Sequence, residues 1–547
     1  MKKYILPTLT VMVFALGILI GSVLQSSATD GSLALNAGQW SMPSSKVDQL
    51  LQLMESTYVD SLDVDSITDE VMSELVQKLD PHSSYIPKED LEMVSAELSG
   101  SFSGIGVQFT IQQDTIRIVA VIAGGPCEGV GVLAGDKIIT VDDSLFVGKK
   151  INNEKVMRTL RGEKGTKVKL GILRPGTAET LYYTVTRGDI PVTSVDAKFI
   201  IEKGDKKIGF IRVNKFGETT YKEFISALAE LREKGASAYI IDLRENSGGY
   251  MDQAIRMANE FLSHNDLIVY AEGRAYPRYE AKANGQGRFK ETPITVLIDD
   301  FSASASEILS GALKDNHRAT IVGEQSFGKG LVQQQMPFSD GSAVRLTVAR
   351  YYTPSGRCIQ KPYEKGHGEE YEKDIMARYE RGEYFSQDSI PQEGEQYKTS
   401  IGRIVYGGGG ITPDIFVPED TTAITSYYRE AVLTGLVHQF AFTYADENRA
   451  KLTALRTPDR MEQFLRRENL LEKFAQFGEK HQLRRRNLML KKSRRLFERS
   501  IYGNIINNVG ERADYLMFLC KDDPVVVKAQ EILDKGLSFP AASTTEK

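Results

Sequence analysis

The sequence predicts a multidomain α+β chain: a helical N-terminal region, a compact β domain, an α/β core and a helical C-terminal extension. Three observations predict it. Val47, Leu50, Leu51, Met54 and Tyr58 follow the i, i+3, i+4, i+7 spacing of an amphipathic helix. Short β-like runs with turn residues between them fill the stretch from Gly104 to about Arg187. From about Val192 to Asp420, strands alternate with amphipathic helices. The 547 residues agree with about three or four domains.

Composition narrows the chemistry. With 41% hydrophobic and 26% charged residues the chain is an ordinary folded protein. Its 68 basic and 73 acidic residues leave a net charge of −5, so no global basic field invites nucleic acid. Cys127, Cys358 and Cys520 are far apart and form no CxxC pair, which argues against a zinc ribbon or a disulfide scaffold. None of the 6 His stands in an HExxH arrangement, so no metal site is expected.

At the N-terminus, Lys2 and Lys3 precede an uncharged run from Tyr4 to Leu24. At 1.5 Å per residue this run reaches about 31 Å, one bilayer core. Residues 1–28 therefore read as a signal anchor. A signal peptide cut near Ser26-Ser27-Ala28 is the alternative. Either places the rest of the chain on the exported side of the cytoplasmic membrane, in the cell envelope, with residues 4–24 as its tether to the inner membrane. Residues 29–43 read as a linker.

Residues 40–99 form the N-terminal helical region, interrupted by a turn at Leu79-Asp80-Pro81-His82-Ser83-Ser84-Tyr85. The β domain spans 100–188, with strands such as Ile116-Arg117-Ile118-Val119 and one helix from about Asn153 to Leu160. The core spans 192–420. There Ile208 to Val213 leads to a helix carrying Phe224, Leu228 and Leu231; Tyr239 to Leu243 leads to Gly248-Gly249 and a second helix; Ile294 to Ile298 leads to a third. Residues 361–400, charged and rich in Tyr, Glu and Lys, read as a surface insertion. Residues 421–547 are mostly helical. Their basic run, His481 to Arg495, reads as a solvated helix face or as a contact for membrane or an acidic partner.

The densest stretch is Asp299-Asp300-Phe301-Ser302-Ala303-Ser304-Ala305-Ser306-Glu307, where a strand ends and a helix begins. Ser304 fits two roles. It can cap the helix, with Glu307 completing a capping box. It can also be a nucleophile at a helix N-terminus, where free N–H groups favour developing negative charge. A serine nucleophile needs a base. His317 is one candidate, though it reads more as a solvated loop residue than as a base; Lys329 in the loop Gly323 to Gly330 is the other. That loop mimics a phosphate-binding P-loop, but position 330 is Gly instead of Ser/Thr and a strand follows instead of a helix. If Lys329 begins that strand, Lys329 and Gln333 are four apart and share a face. As a base the lysine must be neutral, which asks for about 3–4 kcal/mol of desolvation or like-charge pressure. A solvent-facing loop lysine is the other reading of Lys329.

Several motifs together resemble the carboxyl-terminal processing proteases, also called tail-specific proteases. They are FSASASE (301–307), GEQSFGKGLVQ (323–333), DLRENSGG (242–249), YTPSGRCIQ (352–360), LDPHSSY (79–85) and ITPDI (411–415), in the family's order across about residues 40–420. The resemblance implies a serine endopeptidase with a PDZ domain and no cofactor. It implies Ser304 as nucleophile, Lys329 as general base and Gln333 as the residue that positions the lysine. The N–H groups of Gly248 and Ala305 would form the oxyanion hole. In the PDZ domain, Gly104, Ile105, Gly106 and Val107 would form the carboxylate loop, and Ile105, Val107, Phe109, Val156 and Leu160 a pocket for an apolar last side chain. Arg161 is the candidate relay for gating the active site. The turn Gly125-Pro126-Cys127-Glu128-Gly129-Val130 departs from the usual small-residue version.

These readings predict an endopeptidase that recognises apolar C-terminal tails of exported proteins and cleaves them, for processing or quality control in the envelope. Expected partners are substrates with free apolar C-termini, an adaptor or activator protein, the inner membrane and a second copy of the chain; nucleic acid is not among them. A non-catalytic PDZ scaffold is the alternative. It explains the carboxylate loop but not Ser304, Lys329 and Gln333 together.

Overall fold

The computed structural model describes residues 45–537 except 97, 113, 123, 175, 176, 178, 392 and 393. The expected membrane segment, residues 4–24, and the linker after it lie outside the described residues. Among the described residues, no helix is long and apolar enough to cross a membrane.

The chain divides into two units, one ending at Glu70 and one beginning at Val71. In the first, helix Lys46–Thr57 opens on a reciprocal cap: Asp48 N–H donates to Ser45 Oγ, and Ser45 N–H to Asp48 Oδ2.

The second unit begins with an antiparallel β domain. Its main sheet runs in the order Val107–Gln112, Thr115–Val121, Lys137–Val141, Lys167–Leu173, Thr180–Thr186. Alternating apolar residues such as Ile116, Ile118, Val168, Leu170 and Ile172 point to one side and are fully buried. Helix Asn153–Leu160 covers them with Val156 and Leu160, its first turn capped by the Asn152 side chain. Strand Val107–Gln112 is an edge, paired on one side only.

The core is a six-stranded sheet in the order Val195–Lys203, Lys206–Val213, Ala238–Asp242, Ile294–Ile298, Thr320–Gly323, Ile415–Phe416. Its first pair is antiparallel and the rest are parallel. Parallel strands need both faces covered. Helices Thr220–Glu233, Met251–Asn259 and Ala305–Asp315 cover one face. The other is covered from far along the chain: Leu516, Cys520, Val526, Ala529 and Leu533 pack on Phe210, Ile240, Leu297 and Val322. The C-terminal region is thus two structures. Helices between Ser426 and Val509 enclose their own core, while Arg512–Cys520 and Pro524–Asp534 complete the α/β core. Arg244 joins them to the turn that carries Gly248, pairing with Asp523 at 2.9 Å and with Asp242 at 2.8 Å.

A second sheet holds Ser84–Ile86, Leu331–Pro337, Ala343–Tyr352, Leu267–Glu272 and Tyr279–Lys282. The 79–85 segment is therefore more than a turn, since Ser84 to Ile86 pair with Arg345 to Ala343. Residues 361–400 also differ from expectation in part. They form helix Gly368–Glu380 and expose more than half of their described residues, but bury Tyr371, Arg378, Glu383, Tyr384 and Ile390, so this surface insertion is anchored by packed side chains.

Candidate active site

Strand Ile294–Ile298 delivers the chain to a tight elbow, and helix Ala305–Asp315 leaves it. Between them Ser304 has φ 54° and ψ −112°, a conformation that costs a non-glycine residue about 1–3 kcal/mol. Neighbours hold it there. Ala303 N–H and Ser306 Oγ both donate to the carbonyl of Asn246, at 3.0 and 2.8 Å. Ser304 N–H donates to Glu307 Oε2 at 2.9 Å. The carboxylate arm of the expected capping box is therefore made, while the serine side chain makes no capping hydrogen bond. It lines a cleft of about 520 Å³ instead.

Gly248 is pressed against this elbow. Its φ is +104°, and a Cβ there would lie 2.7 Å from Ser304 Cβ and 2.8 Å from the Ala303 carbonyl, so only glycine fits. The two expected oxyanion donors differ in state. Ala305 N–H stands at the first helical position, where no helical acceptor is available. Gly248 N–H is donated to Asn246 Oδ1 at 2.9 Å, so in this arrangement that donor is occupied.

Lys329 and Gln333 line the same cleft as Ser304. Lys329 Nζ donates to Gln333 Oε1 at 3.0 Å, and the Gln333 amide donates to the main-chain carbonyl of His82. Among the described residues no hydrogen bond joins Lys329 Nζ to Ser304 Oγ. Burial pushes the lysine pKa down, and the Arg345 guanidinium adds to the effect; Glu307 and Asp80 oppose it. His317 sits at the far end of the serine helix with Nε2 2.7 Å from Thr399 Oγ1, outside the cleft. Gly330 N–H is donated to Gln360 Oε1, and a strand follows, so the P-loop likeness is only in the letters.

Two residues of this site went unassigned by sequence reasoning. Glu307, fully buried, is more than a cap: its carboxylate accepts from Ser304 N–H, Ser326 Oγ, Gly328 N–H and Lys329 N–H. Its pKa is pushed up by burial against the pull of these donors. Tyr351 reaches from the neighbouring strand, its hydroxyl within hydrogen-bond distance of the carbonyls of Ser304 (3.0 Å) and Lys329 (2.5 Å). The signal for Glu307 lay in the FSASASE motif; for Tyr351 there was none beyond its place beside YTPSGRCIQ.

Comparison with known proteins adds to this geometry. Residues 207–367 match peptidase family S41, residues 103–185 match a PDZ domain, and residues 427–510 match a family of unknown function. The chain is 36% identical over 346 residues to the carboxy-terminal processing protease CtpA of Bacillus subtilis, covering 62% of this chain and 72% of that one. The chain belongs to the carboxy-terminal processing protease family. A second relative, the carboxy-terminal-processing protease of Bartonella bacilliformis, is 37% identical over 318 residues, 57% of this chain and 71% of its own. The protein is a serine-type peptidase with a PDZ domain and a helical C-terminal region.

The PDZ domain distributes its expected peptide-binding residues unevenly. Gly106 (φ +78°) packs on Gly125 and Pro126, and its carbonyl accepts from Ile122 N–H. Gly104 pairs with Gly188 across a short ribbon. Val107 and Phe109 lie on the open edge strand, half-buried against the domain core. Ile105, Val156 and Leu160 belong to that core itself. Arg161 lies over the Phe102 ring, 4.3 Å from its centroid, and lines a cavity of about 180 Å³ with Met93 and Met157. It does not line the catalytic cleft. Helix Lys88–Ala96 stands between the two: Met93 faces the Arg161 cavity and Val94 and Ser95 the cleft, while Glu89 and Asp90 pair with Arg158.

Proposed function

We propose that this protease cleaves by a Ser304–Lys329 dyad. The observation that carries this reading is a half-buried lysine whose amine is held by Gln333 in the cleft that Ser304 enters from a strained helix start. Lys329, neutral, takes the Ser304 hydroxyl proton as Oγ attacks the scissile carbonyl. The tetrahedral oxyanion receives the Ala305 N–H and, once it leaves Asn246, the Gly248 N–H. Collapse breaks the C–N bond, and Lys329 passes its proton to the leaving amine. It then takes a proton from the water that hydrolyses the acyl-enzyme. The missing Ser304–Lys329 hydrogen bond and the occupied Gly248 donor fit a resting site that tightens when substrate binds.

Substrate capture on this reading uses the open edge of strand Val107–Gln112, to which an apolar C-terminal tail adds as a further strand. The work is done on exported proteins, with residues 4–24 tethering the enzyme to the membrane. The test is a loosely folded reporter ending in apolar or in charged residues, incubated with the full-length protein or its Ser304→Ala variant. Cleavage that needs both Ser304 and the apolar tail is expected. Equal cleavage of both tails would overturn the capture step, and cleavage by Ser304→Ala would overturn the nucleophile.

The pH dependence follows in sign. The active form has Lys329 neutral, so kcat/KM rises with pH along a limb lying below the ordinary lysine value of about 10.4. Arg345→Gln removes a like charge from the cleft, which lets the lysine hold its proton to higher pH. The limb then moves up and activity at pH 7 falls about 3-fold or more. A limb that stays in place would separate Arg345 from the base.

A further inference from the structure

The lysine loop, residues 325–330, belongs to no strand, so its main-chain polar groups find partners in several surrounding segments, among them Ser302, Tyr351 and Ile411. Glu307 takes the N–H groups of Gly328 and Lys329 from one side. On the other side the partners come from residues 360–378. Arg378 donates to the carbonyls of Gln325 at 2.8 Å and Ser326 at 3.3 Å. Lys361 N–H donates to the Gly328 carbonyl at 2.9 Å, and Gln360 Oε1 accepts from Gly330 N–H at 2.9 Å. Arg378 is only 6% exposed and is itself braced by Glu383 at 3.1 Å.

Tyr371 extends this grip to Gln333. Its hydroxyl accepts from Gln360 Nε2 at 3.2 Å and lies 2.9 Å from His82 Nε2. Burial and the nearby Lys329 lower the His82 pKa to about 4, so the contact is a hydrogen bond between a neutral imidazole and the tyrosine hydroxyl. The His82 main-chain carbonyl in turn accepts the Gln333 amide. The Lys361 amine lies 4.2 Å from the centroid of the Phe327 ring and 4.1 Å from that of Tyr371, and the two rings stand 5.8 Å apart. One tyrosine therefore joins the loop that carries Lys329 to the carbonyl that orients Gln333.

The geometry points to the inserted helix Gly368–Glu380 as part of the mount of the catalytic lysine, with Tyr371 and Arg378 as positioning residues. The inference rests on the reading of Lys329 as base. A free lysine side chain carries about 2 kcal/mol of rotamer entropy and seeks water, so a neutral one has to be held. The groups that face it are Arg345 from strand Ala343–Tyr352, Glu307 from the serine helix, and Asp80 and His82 from the 79–85 turn. Loosening the loop admits water, relieves the desolvation and raises the lysine pKa. Each unit of rise lowers the neutral fraction, and kcat at pH 7, about tenfold.

The experiment compares wild type, Tyr371→Phe, Arg378→Gln, Arg378→Lys and Lys329→Ala as full-length proteins on the apolar-tailed reporter, across pH and with urea unfolding alongside. Tyr371→Phe and Arg378→Gln are expected to lower kcat about tenfold at pH 7 with KM little changed, and to move the kcat limb up by about one unit. Arg378→Lys, which keeps a donor, recovers part of the loss. A second readout needs no turnover: the pH at which Lys329 becomes half-maximally reactive to reductive methylation, read by mass spectrometry, rises in the same variants. An unmoved limb and an unmoved methylation midpoint, with Lys329→Ala inactive, would overturn the mount and leave the dyad standing. Cleavage by Lys329→Ala would overturn the dyad itself.

Discussion

Lys329→Ala is expected to lower kcat/KM by about a thousandfold or more, with the unfolding midpoint little changed or raised. General-base assistance contributes about 10²–10⁴ to rate, and a serine hydroxyl at neutral pH has little nucleophilicity without it. Stability moves the other way because the amine is held away from water, where its charged form is disfavoured. Gln333→Ala keeps the amine but removes its acceptor at 3.0 Å, and its loss is expected to be smaller, about tenfold to a hundredfold. Steady-state kinetics on the apolar-tailed reporter check both. Full activity in Lys329→Ala would refute the assignment, since among the described residues the only other basic side chain that lines the cleft is the guanidinium of Arg345, and His317 is outside it.

Glu307→Ala is expected to abolish activity and to destabilise the protein by about 3–6 kcal/mol. Four donors lose one acceptor at once, three of them main-chain N–H groups that no rotation can turn to water. A buried donor left without a partner costs about 1–3 kcal/mol, and donors sharing one site do not add fully. The activity loss has a separate cause. Glu307 fixes both Ser304 N–H and Lys329 N–H, so its carboxylate sets the distance between the two reacting side chains' backbones. Glu307→Gln keeps the shape and one carbonyl oxygen but turns an amide N–H₂ toward the donors. Its stability loss is expected to be about 2 kcal/mol, with kcat still falling at least about tenfold. Urea unfolding and kcat on the same preparations separate the effects. A Glu307→Gln enzyme with wild-type kcat would show that the carboxylate is only structural.

Much of this site was legible as letters because its parts lie in short runs. Ser304, Ala305 and Glu307 share one turn of helix, so local periodicity places them; Lys329 stands in the loop just before the strand that carries Gln333, close enough in the chain for the sequence to suggest the pair. The strand–helix alternation from Val192 to Asp420 likewise follows from hydrophobic spacing, which acts over a few residues. The PDZ pocket was less legible. Ile105, Val156 and Leu160 are apolar whether they face a ligand or the domain core, and only packing tells the two apart.

What tertiary structure alone decided are the contacts between distant runs. The state of the Gly248 N–H depends on the Asn246 side chain, two residues away but free to rotate until Val213 takes its amide. The second face of the parallel sheet is covered by helices some two hundred residues later, a pairing that no local pattern encodes. The charged, tyrosine-rich composition of residues 361–400 reads as surface, yet Arg378 and Tyr371 are buried, Arg378 on carbonyls of the lysine loop and Tyr371 against His82 of the 79–85 turn. By itself the sequence determined the family's order of motifs, the candidates for the reacting side chains and the alternation of elements. Whether those side chains meet, and what holds them, was decided by hydrogen bonds that close only when the whole chain has folded.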